Sequence, residues 1–101
     1  MARFVQIIEF KTSRIGEIEA LGNEMRARRE AEGVSSAPRA TFTADRDRPG
    51  YYLSIIEFDS YESAMENSNR PDTSEFAAQM AKLCDAAPKF YNLDVMQTWE
   101  A

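Results

Sequence analysis

The chain has no histidine, one cysteine, one tryptophan, and only four glycines and four prolines among its 101 residues. No metal-ligand cluster, glycine-rich phosphate loop or nucleophilic triad can be assembled from what is present. Cys84 stands alone, so no internal disulfide forms; no basic-then-apolar leader precedes FVQIIEF, and the cytoplasm is the expected compartment. No run approaches the ~20 apolar residues that cross a membrane, so no membrane partner is expected. Positive charge is also short: the formal net charge is -5, which speaks against nucleic acid, whose binding rests on neutralising phosphates. The basic spots, Arg26, Arg28 and Arg29, then Arg46 and Arg48, lie close to Glu30, Glu32, Asp45 and Asp47 and read as mixed-charge surface.

What is present is repetition. IIEF occurs as Ile7–Phe10 and again as Ile55–Phe58, 48 positions apart. Each copy is followed by a short polar break and a helical pattern, Lys11-Thr12-Ser13 before RIGEIEALGNEMRARREAEG and Asp59-Ser60 before YESAMENS. A duplicated strand-helix unit accounts for this. With 44% hydrophobic residues, residues 1–101 are expected to form a single domain.

The first helix is expected over Arg14–Glu32, with Ile15, Ile18, Leu21, Gly22 and Met25 on one face. Gly22 suggests a close approach to a sheet, and Gly33 a stop. A loop, VSSAP, leads to a strand over Arg39–Ala44, the turn DRDRPG, and a strand over Tyr51–Phe58. A short helix follows over Ser60–Asn67, opened by Asp59 or Ser60. Asp72 and Glu75 are spaced as a capping box for a helix over Thr73–Ala86. The last strand is expected over Lys89–Trp99. The order β-α-β-β-α-β is the ferredoxin-like split βαβ arrangement: an α+β fold with a four-stranded antiparallel sheet, the two IIEF strands at its centre and both helices on one face.

Alternation along those strands puts Phe4, Gln6, Ile8 and Phe10 opposite Val5, Ile7 and Glu9. Tyr52, Ser54, Ile56 and Phe58 likewise stand opposite Tyr51, Leu53, Ile55 and Glu57. Both faces carry large apolar groups, where a half-exposed sheet would alternate with polar ones. Helices cover only one face, so a second copy of the sheet is expected on the other, making a homodimer.

The sequence resembles the antibiotic-biosynthesis-monooxygenase-like group of the dimeric α+β barrel superfamily, on IIEFDSYESAMENS, NRPDTSEFAAQM and FYNLDV. The resemblance implies two protomers with facing sheets and a pocket between sheet and helices in each. It also implies either cofactor-independent oxygenation of polycyclic phenols or haem degradation. The phenol chemistry needs desolvation, orientation and a proton acceptor. The haem chemistry needs a histidine ligand and is excluded. The group's tryptophan corresponds to Phe58, its first-strand asparagine to Ile8, its third-strand asparagine to Ser54, and its helical histidine falls at or near Asn67 or Ser68.

The expected catalytic groups are Gln6, Ser54 and Asn67, with Phe4, Ile8, Ile56, Phe58, Met65, Phe76 and Met80 lining a site for an apolar aromatic molecule. No cofactor is expected. Gln6 and Ser54 either face one ligand or satisfy each other. Glu9 and Glu57 are either bases raised in pKa by apolar neighbours or carboxylates paired with arginine or lysine. Asn67 and Asn69 either hold a substrate oxygen or stop the helix. Tyr51, Tyr52, Tyr61, Tyr91 and Trp99 suit half-buried packing and an interface anchor, and Cys84 an inert thiol. The functional expectation is a small-molecule monooxygenase-like protein; the alternative is a non-catalytic ligand-binding or stress-associated homodimer.

Overall fold

The computed structural model describes residues 3–33 and 39–100; the loop expected at VSSAP lies outside them. The two IIEF runs form β1 (Phe4–Lys11) and β3 (Tyr51–Phe58), which pair antiparallel at the centre of a four-stranded sheet. The edges are β2 (Arg39–Ala44), hairpin-linked to β3, and β4 (Lys89–Asp94), so the order is β2-β3-β1-β4. The register makes the duplication visible. Ile7 sits opposite Ile55, its own counterpart in the other copy. Phe4 then faces Phe58, and Tyr52 faces Phe10, so the two ends of the central ladder repeat one another.

Three helices connect and cover these strands: α1 (Ile15–Ala31), α2 (Tyr61–Ser68) and α3 (Pro71–Leu83). The Ser60 hydroxyl caps α2, accepting from the Ser63 N–H at 3.1 Å. Gly33 closes α1 with φ 72°, a left-handed geometry that other residues adopt only at a cost. Thr12, buried between the two longer helices, accepts from the Arg14 N–H at 2.9 Å and donates to the Leu83 carbonyl at 2.7 Å. The start of α1 is thereby tied to the end of α3.

Three expectations need correction. The Asp72–Glu75 box does not form, because α3 opens two residues earlier, with Arg70 as N-cap and Pro71 in the first turn. Proline is well suited there, where its missing N–H would have had no helical acceptor. The last strand ends at Asp94 rather than Trp99. Asp94 is the register partner of Phe4, where β1 begins, and the Val95 N–H still reaches the Arg3 carbonyl at 3.1 Å. Beyond that, the described part of the neighbouring chain offers nothing to pair with. Gly22 does not touch the sheet: a Cβ built there meets only the Arg26 guanidinium, at 3.5 Å.

All three helices lie on the Phe4–Phe10 face. Phe4, Phe58 and Ala64 form one buried cluster under α2, with Ile56 and Met65 against it. Phe10, Ile18 and Met80 form a second between the sheet, α1 and α3, with Ile8, Leu21, Tyr52 and Phe76 around it. Each cluster is thus seeded by the phenylalanine of one IIEF copy. The opposite face presents Val5, Ile7, Leu53 and Ile55, flanked by Tyr91 and Leu93 of β4, and no helix among the described residues covers it.

Candidate functional site

A cavity of about 660 Å³ opens between the sheet and the helices on the α1 side. Its floor is Ile8 of β1, Ser54 and Ile56 of β3, and Ala40 and Phe42 of β2. Its roof is α1 from Ile18 to Glu30, closed toward the core by Phe76 and Met80 of α3. The alternation of β1 and β3 produces the floor, since residues two apart share a face. Phe42, Phe10 and Tyr52 stack across three strands at centroid separations of 5.7 to 5.9 Å and wall one end.

One corner is polar. Arg29 of α1 is only 11% exposed at its side chain. Its Nε–H donates to Asp72 at 3.2 Å, and its Nη2 to the Thr73 hydroxyl at 2.5 Å. That hydroxyl in turn donates to the Asn67 Oδ1 at 3.4 Å. Asp72 also accepts twice from Arg70, at 2.9 and 3.2 Å. Hydrogen bonds from Arg70 and then Arg29 hold the Asp72 carboxyl far below the usual carboxylate range, so it stays ionised. The pairing also ties the end of α1 to the start of α3, as Thr12 ties their other ends.

This architecture has known counterparts. A Caulobacter crescentus protein assigned as an antibiotic biosynthesis monooxygenase matches with a TM-score of 0.79 and 15% identity, over 95% of this chain and 92% of that one. SnoaB, a cofactor-independent oxygenase from Streptomyces nogalater, matches with a TM-score of 0.78 and 15% identity over 97% of each chain. Rv0793 of Mycobacterium tuberculosis matches at 0.76 and 16% identity, over 97% and 99%. The fold is that of the antibiotic biosynthesis monooxygenase structures. In sequence the chain stands apart: no protein-family model and no curated protein matches it.

Within this fold, Ser54, Asn67, Ile8, Ile56, Phe76 and Met80 come together on the cavity wall. Phe4, Phe58 and Met65 do not: they pack in the separate cluster under α2, Phe58 at 1% exposure. Gln6 also lies away from the cavity. The register sets it opposite Ile56 and Asn92, diagonal to Ser54, and its amide donates to the Asn92 Oδ1 at 3.1 Å. It therefore satisfies neither Ser54 nor a ligand shared with it. Glu9 and Glu57 sit on the far face of the sheet, paired with Arg48 at 3.1 Å and Arg39 at 3.8 Å. The cavity carboxylates are instead Glu19 and Glu30 of α1.

Sequence reasoning took Arg29 for mixed-charge surface and Asp72 for a helix cap, and passed over Thr73. The only signal was their spacing: Arg29 stands 11 positions after Ile18 on the helix, three turns on and so on the same face. Burial raises the Cys84 thiol pKa, with Asp85 adding to the effect, which leaves it unreactive. Among the described residues, no group of three acidic, cysteine or histidine side chains is placed to hold a metal, and no helix is long and apolar enough to cross a membrane.

Proposed function

We propose that this chain binds an aromatic or polyketide-like molecule in the helix-side cavity and oxidises it without a cofactor. The observation behind the reading is the cavity itself: about 660 Å³, with a floor apolar but for Ser54 and with its polar and charged groups, Asn67, Arg29, Glu19 and Glu30 among them, around the rim and roof. Such a site binds chiefly by desolvation, and a few convergent polar groups set orientation. The cofactor-independent oxygenase SnoaB shares the fold, which supports the reaction class.

The chemistry asks little of the protein. A phenol of the anthrone type loses a proton and becomes electron-rich enough to reduce dioxygen. The resulting pair recombines as a peroxide at the activated carbon, and loss of water leaves a carbonyl. One dioxygen is consumed, and one water is released. Ser54 and Asn67 orient the ring oxygen, Glu19 or Glu30 accepts the proton, and the apolar floor keeps water away. The uncovered apolar face of Val5, Ile7, Leu53 and Ile55 supports a homodimer with facing sheets.

Gln6 supports a second reading. Its engagement with Asn92 removes it from the cavity, leaving fewer polar groups than an oxygenase of this kind would use. A non-catalytic ligand-binding or stress-associated homodimer fits that depletion. Oxygen uptake with an anthrone-type phenol decides between them. Turnover above buffer that falls in Ser54→Ala and Asn67→Ala supports oxygenation; turnover equal to buffer removes it.

A further inference from the structure

We infer that the ligand's ring oxygen is held as an oxyanion on the NH₂ group of Asn67, and that Thr73 and Arg29 are positioning residues that keep this amide with its donor side toward the cavity. This rests on the reading of the cavity as a ligand site, and adds to it the residues behind Asn67 that set the direction of its hydrogen bond.

Direction, not net charge, distinguishes this corner. Its ions are matched: Asp72 and Glu32 both stand near Arg70, and Asp72 also accepts from Arg29. The hydrogen bonds, however, all run one way. A guanidinium only donates. The Arg29 Nη2 donates to the Thr73 hydroxyl at 2.5 Å. That hydroxyl has one proton of its own, and donates it to the Asn67 Oδ1 at 3.4 Å. The Oδ1 thus faces Thr73, and the NH₂ group lies on the other side of the planar amide. Its protons have no acceptor among the described residues. No buried side-chain polar atom among those residues is unpaired, so these protons reach open space, and the space Asn67 borders is the cavity.

The donor is set before any ligand arrives. The Asn67 carbonyl accepts from the Arg70 N–H at 3.2 Å, in the tight connection from α2 to α3. Thr73 lies in the first turn of α3. Arg29, with its side chain largely buried, is held by Asp72 at 3.2 Å. A fixed donor needs no reorganisation as negative charge builds on the oxygen it faces. Hydrogen bonds that run in one sense also polarise one another, so the chain from Arg29 through Thr73 strengthens the N–H at its end. The oxygen that fits is one that only accepts and gains by becoming negative, as a phenol does on losing its proton.

2-Naphthol on the full chain tests this. Titration calorimetry at neutral pH gives its binding. Its near-ultraviolet phenolate band, at longer wavelength than that of tyrosine, gives the pKa of the bound molecule. Thr73→Val removes the link, and should raise that pKa by about one unit over the wild-type complex, as one hydrogen bond to an ion warrants. Thr73→Ser should restore it. Asn67→Ala should raise it by at least as much, and adding Thr73→Val to Asn67→Ala should change nothing more, because Thr73 acts through the amide. Asn67→Asp keeps the bond to Thr73 but exchanges NH₂ for oxygen. It should raise the bound pKa further, and it decides the matter if Thr73→Val fails to fold. Naphthol that binds every variant with the wild-type pKa overturns the oxyanion assignment while leaving the cavity a ligand site. A Thr73→Val shift of the same size with and without Asn67→Ala overturns the positioning role. No binding to the wild type overturns this inference and the ligand-site reading together.

Discussion

Arg29 and Asp72 meet at 3.2 Å across 43 positions of sequence, and their pairing joins the end of α1 to the start of α3. The Asp72 carboxyl, held low in pKa by Arg70 and Arg29, contributes stability that is fully present above the unfolded carboxylate value near ~4 and is lost as pH falls below it. The melting temperature of the wild type should therefore drop between about pH 5 and pH 3. Asp72→Asn should melt lower at neutral pH and show a flatter acid limb. Asp45 and Glu17, whose carboxyls are also lowered by arginine partners, keep some slope in both proteins. Identical acid limbs would show that the pairing contributes nothing.

Truncating the IIEF phenylalanine under α2 should be severe. Phe58 is 1% exposed, and Phe58→Ala should cost about 3–5 kcal/mol, the range for a buried ring. Phe42 is far more exposed and stacks on Phe10 and Tyr52. Phe42→Ala should cost about 0.5–1.5 kcal/mol. Urea denaturation measures both, and comparable losses would contradict the burial difference.

Gly22 sits in mid-helix with room for a methyl group. Gly22→Ala should stabilise the fold by about 1 kcal/mol, raising the melting temperature by roughly 4–8 °C. The same methyl group intrudes on the cavity wall, so an anthrone-type phenol should bind more weakly. A more stable variant with unchanged affinity would place the ligand elsewhere.

Ile55 lies at the centre of the uncovered sheet face, opposite Ile7. Ile55→Lys should leave helix content intact by circular dichroism and convert a sedimenting dimer to a monomer. Wild-type protein that sediments as a monomer at micromolar concentration would end the facing-sheet proposal. Trp99, 80% exposed in the single chain, offers a second readout: its fluorescence should shift to the red on dilution if the pair covers it.

The strands were legible because their signal is local. IIEF alternates, occurs twice, and lies between turn residues, so the element order and the central place of the two copies follow from local pattern; which face the helices cover does not, because both faces are apolar. The failures had non-local causes. Where β4 stops depends on where β1 starts, which the sequence of β4 does not encode. Asp72 looks like a cap by spacing, but proline one residue earlier moves the helix start and frees the carboxylate for two arginines. The residues that share each strand face were readable; which face floors the cavity, and its charged corner, were not. Pairing Arg29 with Asp72 requires knowing that α1 and α3 run antiparallel side by side. Gln6 and Ser54, equivalent in the repeat, looked like neighbours, and only the register shows them to be diagonal.

The two pins on the longer helices have a mechanical consequence. Thr12 fastens them at one end and the Arg29–Asp72 pair at the other, so the lid over the hollow behaves as a single plank. A guest cannot enter by prising the helices apart without breaking both fastenings. The remaining way in is sideways, past the thin outer strand Arg39–Ala44, where hydrogen-exchange labelling should find the fastest opening of the sheet and the largest slowing when the hollow is filled.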